Sequence, residues 1–209
     1  MQSHILRAAA GGEADPTVIG QLYGGGIFVG VVEQSSGEYF LVMSHKSGEA
    51  SREWKTTNTA TPGASDVVDG WANTNAMNNS AYPAAFYCRN YRGGGKSDWY
   101  LPARFELEIA YREFKPTTTN NQTGSNSPSP NLYSVPVGPT YTSSVPPRTP
   151  LIDFQLGGAE AFSDDTYWAS EETNDTTARG IFFTSGRVVN NFKNNSAILV
   201  RPFRRVKKA

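Results

Sequence analysis

Residues 115–150 place eight prolines in 36 positions, with almost no apolar periodicity between them. A proline ring fixes φ and removes a backbone donor, so neither a helix nor an inner strand can run through such a stretch. Regular structure must fall on either side of it. Irregular segments this long inside a compact domain are functional or disordered. The prolines lower the entropy lost on ordering, which favours a fixed surface over a floppy linker. Within the segment, Tyr133, Tyr141 and Arg148 are of the residue types that dominate binding energetics. Trp71, Asn73 and Asn75 offer a stacking ring and amide donors suited to sugar hydroxyls or a neighbouring protein. The expectation is a recognition face built from the 115–150 loop and the 70–79 segment.

The flanking blocks carry ordinary signals. Ile27 to Val32 and Tyr39 to Met43 are β-rich runs separated by Ser35, Ser36 and Gly37, which predicts a hairpin. Ala84, Ala85, Cys88 and Tyr91 stand at helical spacing. Leu107, Ala110, Tyr111 and Phe114 follow at i, i+3, i+4 and i+7, one buried helix face. Glu108 and Arg112 are ordered for an i, i+4 ion pair, and Pro102 sets the start of that helix. Tyr167–Trp168, Gly180 to Thr184, Arg187 to Phe192 and Ile198 to Phe203 read as short strands. Residues 1–18 read as an arm, with Ile5 and Leu6 as apolar anchors and Gly11, Gly12 and Pro16 as breakers. The remainder, residues 19–209, reads as a single domain, since 209 residues suit one core better than two.

Charge and composition remove several classes of function. Lys plus Arg equals Asp plus Glu at 19 each, so there is no basic excess for nucleic acid. No apolar run approaches the roughly 20 residues needed to span a bilayer, so no membrane insertion is expected. Met1 to Arg7 also lacks the apolar stretch of a secretory signal. One cysteine and two histidines leave little for a disulfide, a metal centre or a nucleophile–base pair. Neither catalysis, nor a cofactor, nor a metal is expected.

Three strings invite stronger readings. Gly93-Gly94-Gly95-Lys96-Ser97 ends like a phosphate-binding loop, but Asn90 stands where the first glycine belongs, and no strand precedes it. A turn is expected there. Gly24-Gly25-Gly26 with Gly30 misses the dinucleotide spacing, and more simply lets a hairpin begin close to another strand. Asp164–Asp165 and Glu171–Glu172 point to opposite faces of a strand, as a solvated rim would. The tail cations Arg201, Arg204, Arg205, Lys207 and Lys208 predict a strand with one charged face. Cys88 sits on an apolar stripe, as an inert buried thiol does.

In order along the chain, several stretches resemble one family. They are Ile19 to Phe28; Asn73 to Met77 with Ala84, Ala85 and Cys88; Ser97-Asp98-Trp99-Tyr100-Leu101-Pro102 with Glu106, Leu107 and Tyr111; Tyr167 to Glu171; and Val200 to Arg204. Together they resemble the Lcl C-terminal-domain-like group of bacterial adhesin-like and bacteriophage virion proteins. The resemblance spans roughly residues 19–205 and implies an α+β, C-type-lectin-like fold, with two helices packed on small antiparallel sheets and long loops. The 115–150 stretch is longer than the family's connection, and Ala169 replaces a serine. Calcium-binding triplets of the lectins are missing, so calcium-dependent sugar binding is not implied.

The functional expectation is a non-enzymatic bacteriophage virion protein. It would display a lectin-like domain for host-surface recognition, or serve as an accessory of capsid or tail, oligomeric in the particle. Expected partners are other virion proteins, through the arm carrying Ile5 and Leu6, and a host-surface glycan or protein. The alternative is a bacterial surface adhesin module that binds glycans.

Overall fold

A computed structural model describes residues 13–209; the arm anchors Ile5 and Leu6 lie outside the described residues. Short strand β1 (Leu22–Tyr23) leads into the hairpin of β2 (Gly26–Gln34) and β3 (Gly37–Met43), closed by Ser35 and Ser36 as the spacing predicts. Alternation along both strands buries two faces at once. Ile27, Val29, Val32, Leu41 and Met43 join the central core, while Phe28, Phe40 and Val42 pack with Tyr23 and Trp99 behind the sheet.

The middle of the chain carries β4 (Ala50–Ser51) and three helices: α1 (Gly70–Ala76), α2 (Pro83–Asn90) and α3 (Arg104–Phe114). The expectation of two helices is corrected to three. Residues 77–82 interrupt the first helical region, and Pro83 restarts it at the first turn, where a missing N–H costs nothing. Asp69 caps α1 by accepting the Ala72 N–H at 2.9 Å. At the head of α3, the Glu106 carboxylate accepts the Ala103 N–H and Glu171 accepts the Arg104 N–H, both at 2.9 Å.

After the proline-rich segment, which contributes β5 (Ser134–Val135), come β6 (Thr166–Glu172), β7 (Thr177–Phe182), β8 (Arg187–Phe192), β9 (Leu199–Val200) and β10 (Phe203–Lys207). One sheet runs β1-β2-β3-β10, with β5 pairing β2; the other runs β4-β9-β6-β7-β8. All pairings are antiparallel except the short parallel contact of β6 with β9. The fold is thus α+β, with α3 packed against both sheets. Its face of Leu107, Ala110, Tyr111 and Phe114 is fully buried, as the spacing predicts. Trp99, Leu101 and Trp168 are also core, and the Trp168 indole donates to the Arg52 carbonyl at 2.9 Å.

Two glycine clusters meet behind the first sheet. A Cβ on Gly94 would lie 2.1 Å from the Gly25 carbonyl oxygen, so only glycine lets these backbones cross. The Gly93–Gly95 string is therefore a packed turn. The cationic tail departs from its sequence reading, because its arginines are committed to internal partners. Arg201 and Arg204 are buried, on Glu160 and Asp98 respectively, and Arg205 pairs with Asp69 at 3.0 Å. Glu171 and Glu172 form no solvated rim either. Glu171 is buried against Arg104, and Glu172 pairs with the buried Lys193.

Candidate functional site

A groove runs between the β2–β3 hairpin tip, the stretch leading into α1, and the proline-rich segment. One end, of about 430 Å³, is lined by Glu33, Gln34 and Ser35 of the tip, Asp66, Val68 and Asp69 of the stretch, and Leu132 and Tyr133. The other end, of about 570 Å³, shares Asp66, Val68 and Tyr133 and continues past Gly63 and Ala72. Loops held on a rigid frame are where ligand sites form.

Both walls of this groove are fixed by side chains reaching main chain. On one side, Asp66 Oδ1 accepts the Val68 and Asp69 N–H groups at 2.8 Å each, an Asx-type turn. Asn73 clasps the same residue, accepting the Asp66 N–H at 3.0 Å and donating to its carbonyl at 2.6 Å. Gln34 Nε2 donates to the Val68 carbonyl at 2.9 Å. On the other side, Asn131 is fully buried and donates to the Phe105 carbonyl and to Glu108. Its Oδ1 accepts the Tyr133 N–H at 3.1 Å, and the Tyr133 carbonyl accepts the Glu33 N–H at 2.7 Å. Tyr133 is half-buried with its ring 5.1 Å from Phe105, while Leu132 beside it is 64% exposed.

The six expected recognition residues separate. Tyr133 lines the groove. Asn73 is buried and holds the groove wall from behind. Tyr141 is also buried: its hydroxyl donates to Glu108 at 2.7 Å and its ring lies 5.8 Å from Tyr111, so it can meet no partner. Trp71 is half-buried, edge-on to Tyr100, with the Arg89 guanidinium 4.2 Å above its ring. Its stacking face is thus already taken by the protein itself. Asn75 and Arg148 are exposed but line neither end of the groove. Sequence reasoning missed Asp66, Asp69 and Leu132; the Asp66-Val67-Val68-Asp69-Gly70 string carries the turn and helix-start signals that would have flagged the wall.

Three carboxylates lie deeper. Burial pushes the Glu106 carboxyl up to about 8, against the opposing hydrogen bonds from Tyr100 and the Ala103 N–H. Burial likewise pushes Glu171 up to about 7 against the pull of Arg104. Glu108 is buried between Arg112, Asn131 and Tyr141. Shifted carboxyls of this kind mark catalytic sites when they face a cleft. Neither end of the groove is lined by any of the three; Glu106 and Glu108 are bonded to internal donors, and Glu171 accepts the Arg104 N–H through Oε2 with its other oxygen 3.4 Å from the Arg104 guanidinium, so they read as structural anchors. Cys88 is buried, with desolvation raising its thiol far above the reactive range. Among the described residues no three His, Cys, Asp or Glu side chains gather as a metal site, and no helix is long and apolar enough to cross a membrane.

No family model and no curated protein sequence matches the chain. The groove's own geometry therefore carries the functional reading.

Proposed function

We propose that the chain is a non-enzymatic recognition module of a bacteriophage particle, with a C-type-lectin-like fold, that engages the host surface through the groove beside Tyr133. The observation that carries this reading is the pinning of the proline-rich segment. Glu108 and Asn131 hold it on α3 so that Leu132 and Tyr133 form one wall of a concavity whose other wall is also hydrogen-bonded in place. A binding surface already ordered before it meets its partner loses less entropy on association. The stretches that resemble the Lcl C-terminal-domain-like group support the same reading: they fall mainly on core strands and on α1, α2 and α3, and one of them supplies Asn73, which holds the groove wall. In this account the arm, with Ile5 and Leu6, joins the module to other virion proteins.

Adsorption tests the proposal. Purified protein should compete with particles for host cells, and Tyr133→Ala together with Leu132→Ser should lower that competition at least tenfold, with an unchanged circular dichroism spectrum. Full competition by the folded double variant would remove the groove from recognition. Mass spectrometry of purified particles checks the location, and absence of the chain from them would favour a surface module of the bacterium.

A further inference from the structure

Exposed apolar side chains gather at a cleft that the recognition reading does not use. The 18–21 turn forms one wall and residues 150–153 the other, with Ile19 and Phe154 between them, around a volume of about 710 Å³. Val18 is 61% exposed and Ile152 78%, and neither lines the groove beside Tyr133. Leu151 of the same lining is exposed, as are Leu22 and Leu156, close in sequence to the two walls. Apolar residues scattered singly over a surface need no explanation, but a contiguous patch in a concavity marks an interaction site.

Both walls are held in place from within. Gln21 Oε1 accepts the Thr17 and Val18 N–H groups at 3.1 and 2.8 Å, and the Gly20 N–H donates to the Phe28 carbonyl at 2.9 Å. Gly20 has a φ of +87°, and a Cβ there would stand 3.0 Å from Leu151, so glycine lets the turn close against the opposite wall. On that wall the Phe154 ring stacks on Phe114 at 4.3 Å, and Gln155 Nε2 donates to the Thr149 carbonyl at 3.0 Å. Asp153 is the one charged residue of the lining; it is exposed and has no ion pair among the described residues.

The chain itself carries a segment of matching chemistry. Ile5 and Leu6 are adjacent aliphatics and Arg7 follows them, two apolar side chains and a cation for an apolar cleft with one acid. The described chain runs out of the cleft at Val18. Pro16 is buried, and the Glu13 carboxylate accepts the Gly24 N–H at 2.9 Å, at the turn between β1 and β2. The arm therefore departs from a point outside its own cleft.

We propose that the cleft receives the arm of a second copy of this chain, with Ile5 and Leu6 on Val18, Leu151 and Ile152, and Arg7 on Asp153. The proposal rests on the reading of the arm as a joining segment, and it names this chain as a protein that the arm joins. Two copies exchanging arms close into a two-fold pair, since each gives one arm and one cleft. Gel filtration with light scattering should find the full chain dimeric at micromolar concentration. Leu6→Asp and Ile152→Asp should each weaken the dimer at least tenfold with unchanged circular dichroism, Ile152 being mostly exposed. Mixed together, these two variants should associate more tightly than either alone, because one intact arm then meets one intact cleft. Arg7→Glu or Asp153→Lys alone should weaken the dimer, and the two reversals combined should restore it. A monomeric native chain, a dimer that survives Leu6→Asp by setting cleft against cleft, or a mixture no tighter than its components would each overturn the assignment. Arm-dependent dimerisation of a chain that is absent from purified particles would uphold the assignment and overturn the virion reading alone.

Discussion

Glu106 and Glu108 stand two residues apart on α3, both fully buried, yet they organise opposite sides of the molecule. Glu106 turns toward the N-terminal half, taking the Tyr100 hydroxyl at 2.6 Å and the N–H groups of Gly70 and Ala103 at 3.2 and 2.9 Å. Glu108 turns toward the proline-rich segment, taking Asn131 at 2.6 Å, Tyr141 at 2.7 Å and its own helix neighbour Arg112 at 2.7 Å. The first acid has neutral donors in contact and only a more distant Arg205 charge, so desolvation dominates and its carboxyl rises. The second has a cation in contact. A buried acid can thus anchor a segment in two ways: as a proton-sensitive hub of neutral donors, or as the centre of an ion pair.

Removing the ion-paired acid should cost most. Glu108→Ala leaves Arg112, Asn131 and Tyr141 without their shared acceptor, and breaking such a buried pair typically costs about 3–5 kcal/mol. Chemical denaturation measures the loss, and hydrogen exchange should quicken in residues 128–141 before it does in α1. Equal quickening in both would erase the division of labour between the two acids.

Glu106→Gln should cost less, about 1–2 kcal/mol near neutrality, because an amide oxygen can keep the backbone donors while its NH₂ turns to Tyr100. Its value lies in the pH profile. The folded carboxyl, at about 8, is raised above the ordinary 4.5. The stability it contributes is therefore complete below the ordinary value and is lost as pH rises through about 8. Thermal unfolding midpoints should fall between pH 5 and pH 8 in the native protein and fall less in Glu106→Gln. Glu171 shares this sign, pushed up to about 7, so some slope should remain. A profile as steep in the variant as in the native protein would show that Glu106 is ionised throughout.

The smallest stability effect is expected at the groove. Tyr133→Ala removes a half-buried ring from Phe105 and should cost about 1 kcal/mol, the scale of one aromatic contact. A loss as large as that of Glu108→Ala would mean that Tyr133 is itself an anchor of the segment.

Much of the frame was legible because it rests on periodicity. The β2–β3 hairpin and the Leu107, Ala110, Tyr111, Phe114 face follow from spacings of two and of three to four. The buried acids were not legible, since an amphipathic pattern assigns charge to the outside. Glu108 is enclosed because the proline-rich segment covers its side of α3, and Glu106 because Tyr100 and the backbone of Gly70 and Ala103 close over it. Long-range pairing also hid the tail: nothing local to Arg201, Arg204 and Arg205 announces Glu160, Asp98 and Asp69. The same limit separated the recognition residues, since Tyr141 and Tyr133 have identical chemistry and differ only in which reaches Glu108. Asn73 had the right neighbourhood but the wrong orientation.

The placement of β10 beside β3 has a consequence for how the chain is made. Met43 pairs with Phe203 and Tyr39 with Lys207, so β3 is completed only once a strand about 160 residues further along the chain has been made. Until then β3 presents a bare edge whose N–H and C=O groups can template pairing with another nascent chain. Contacts this distant in sequence also slow folding. Production of the protein should therefore depend on chaperone capacity and on slow, cool expression more than its folded stability suggests.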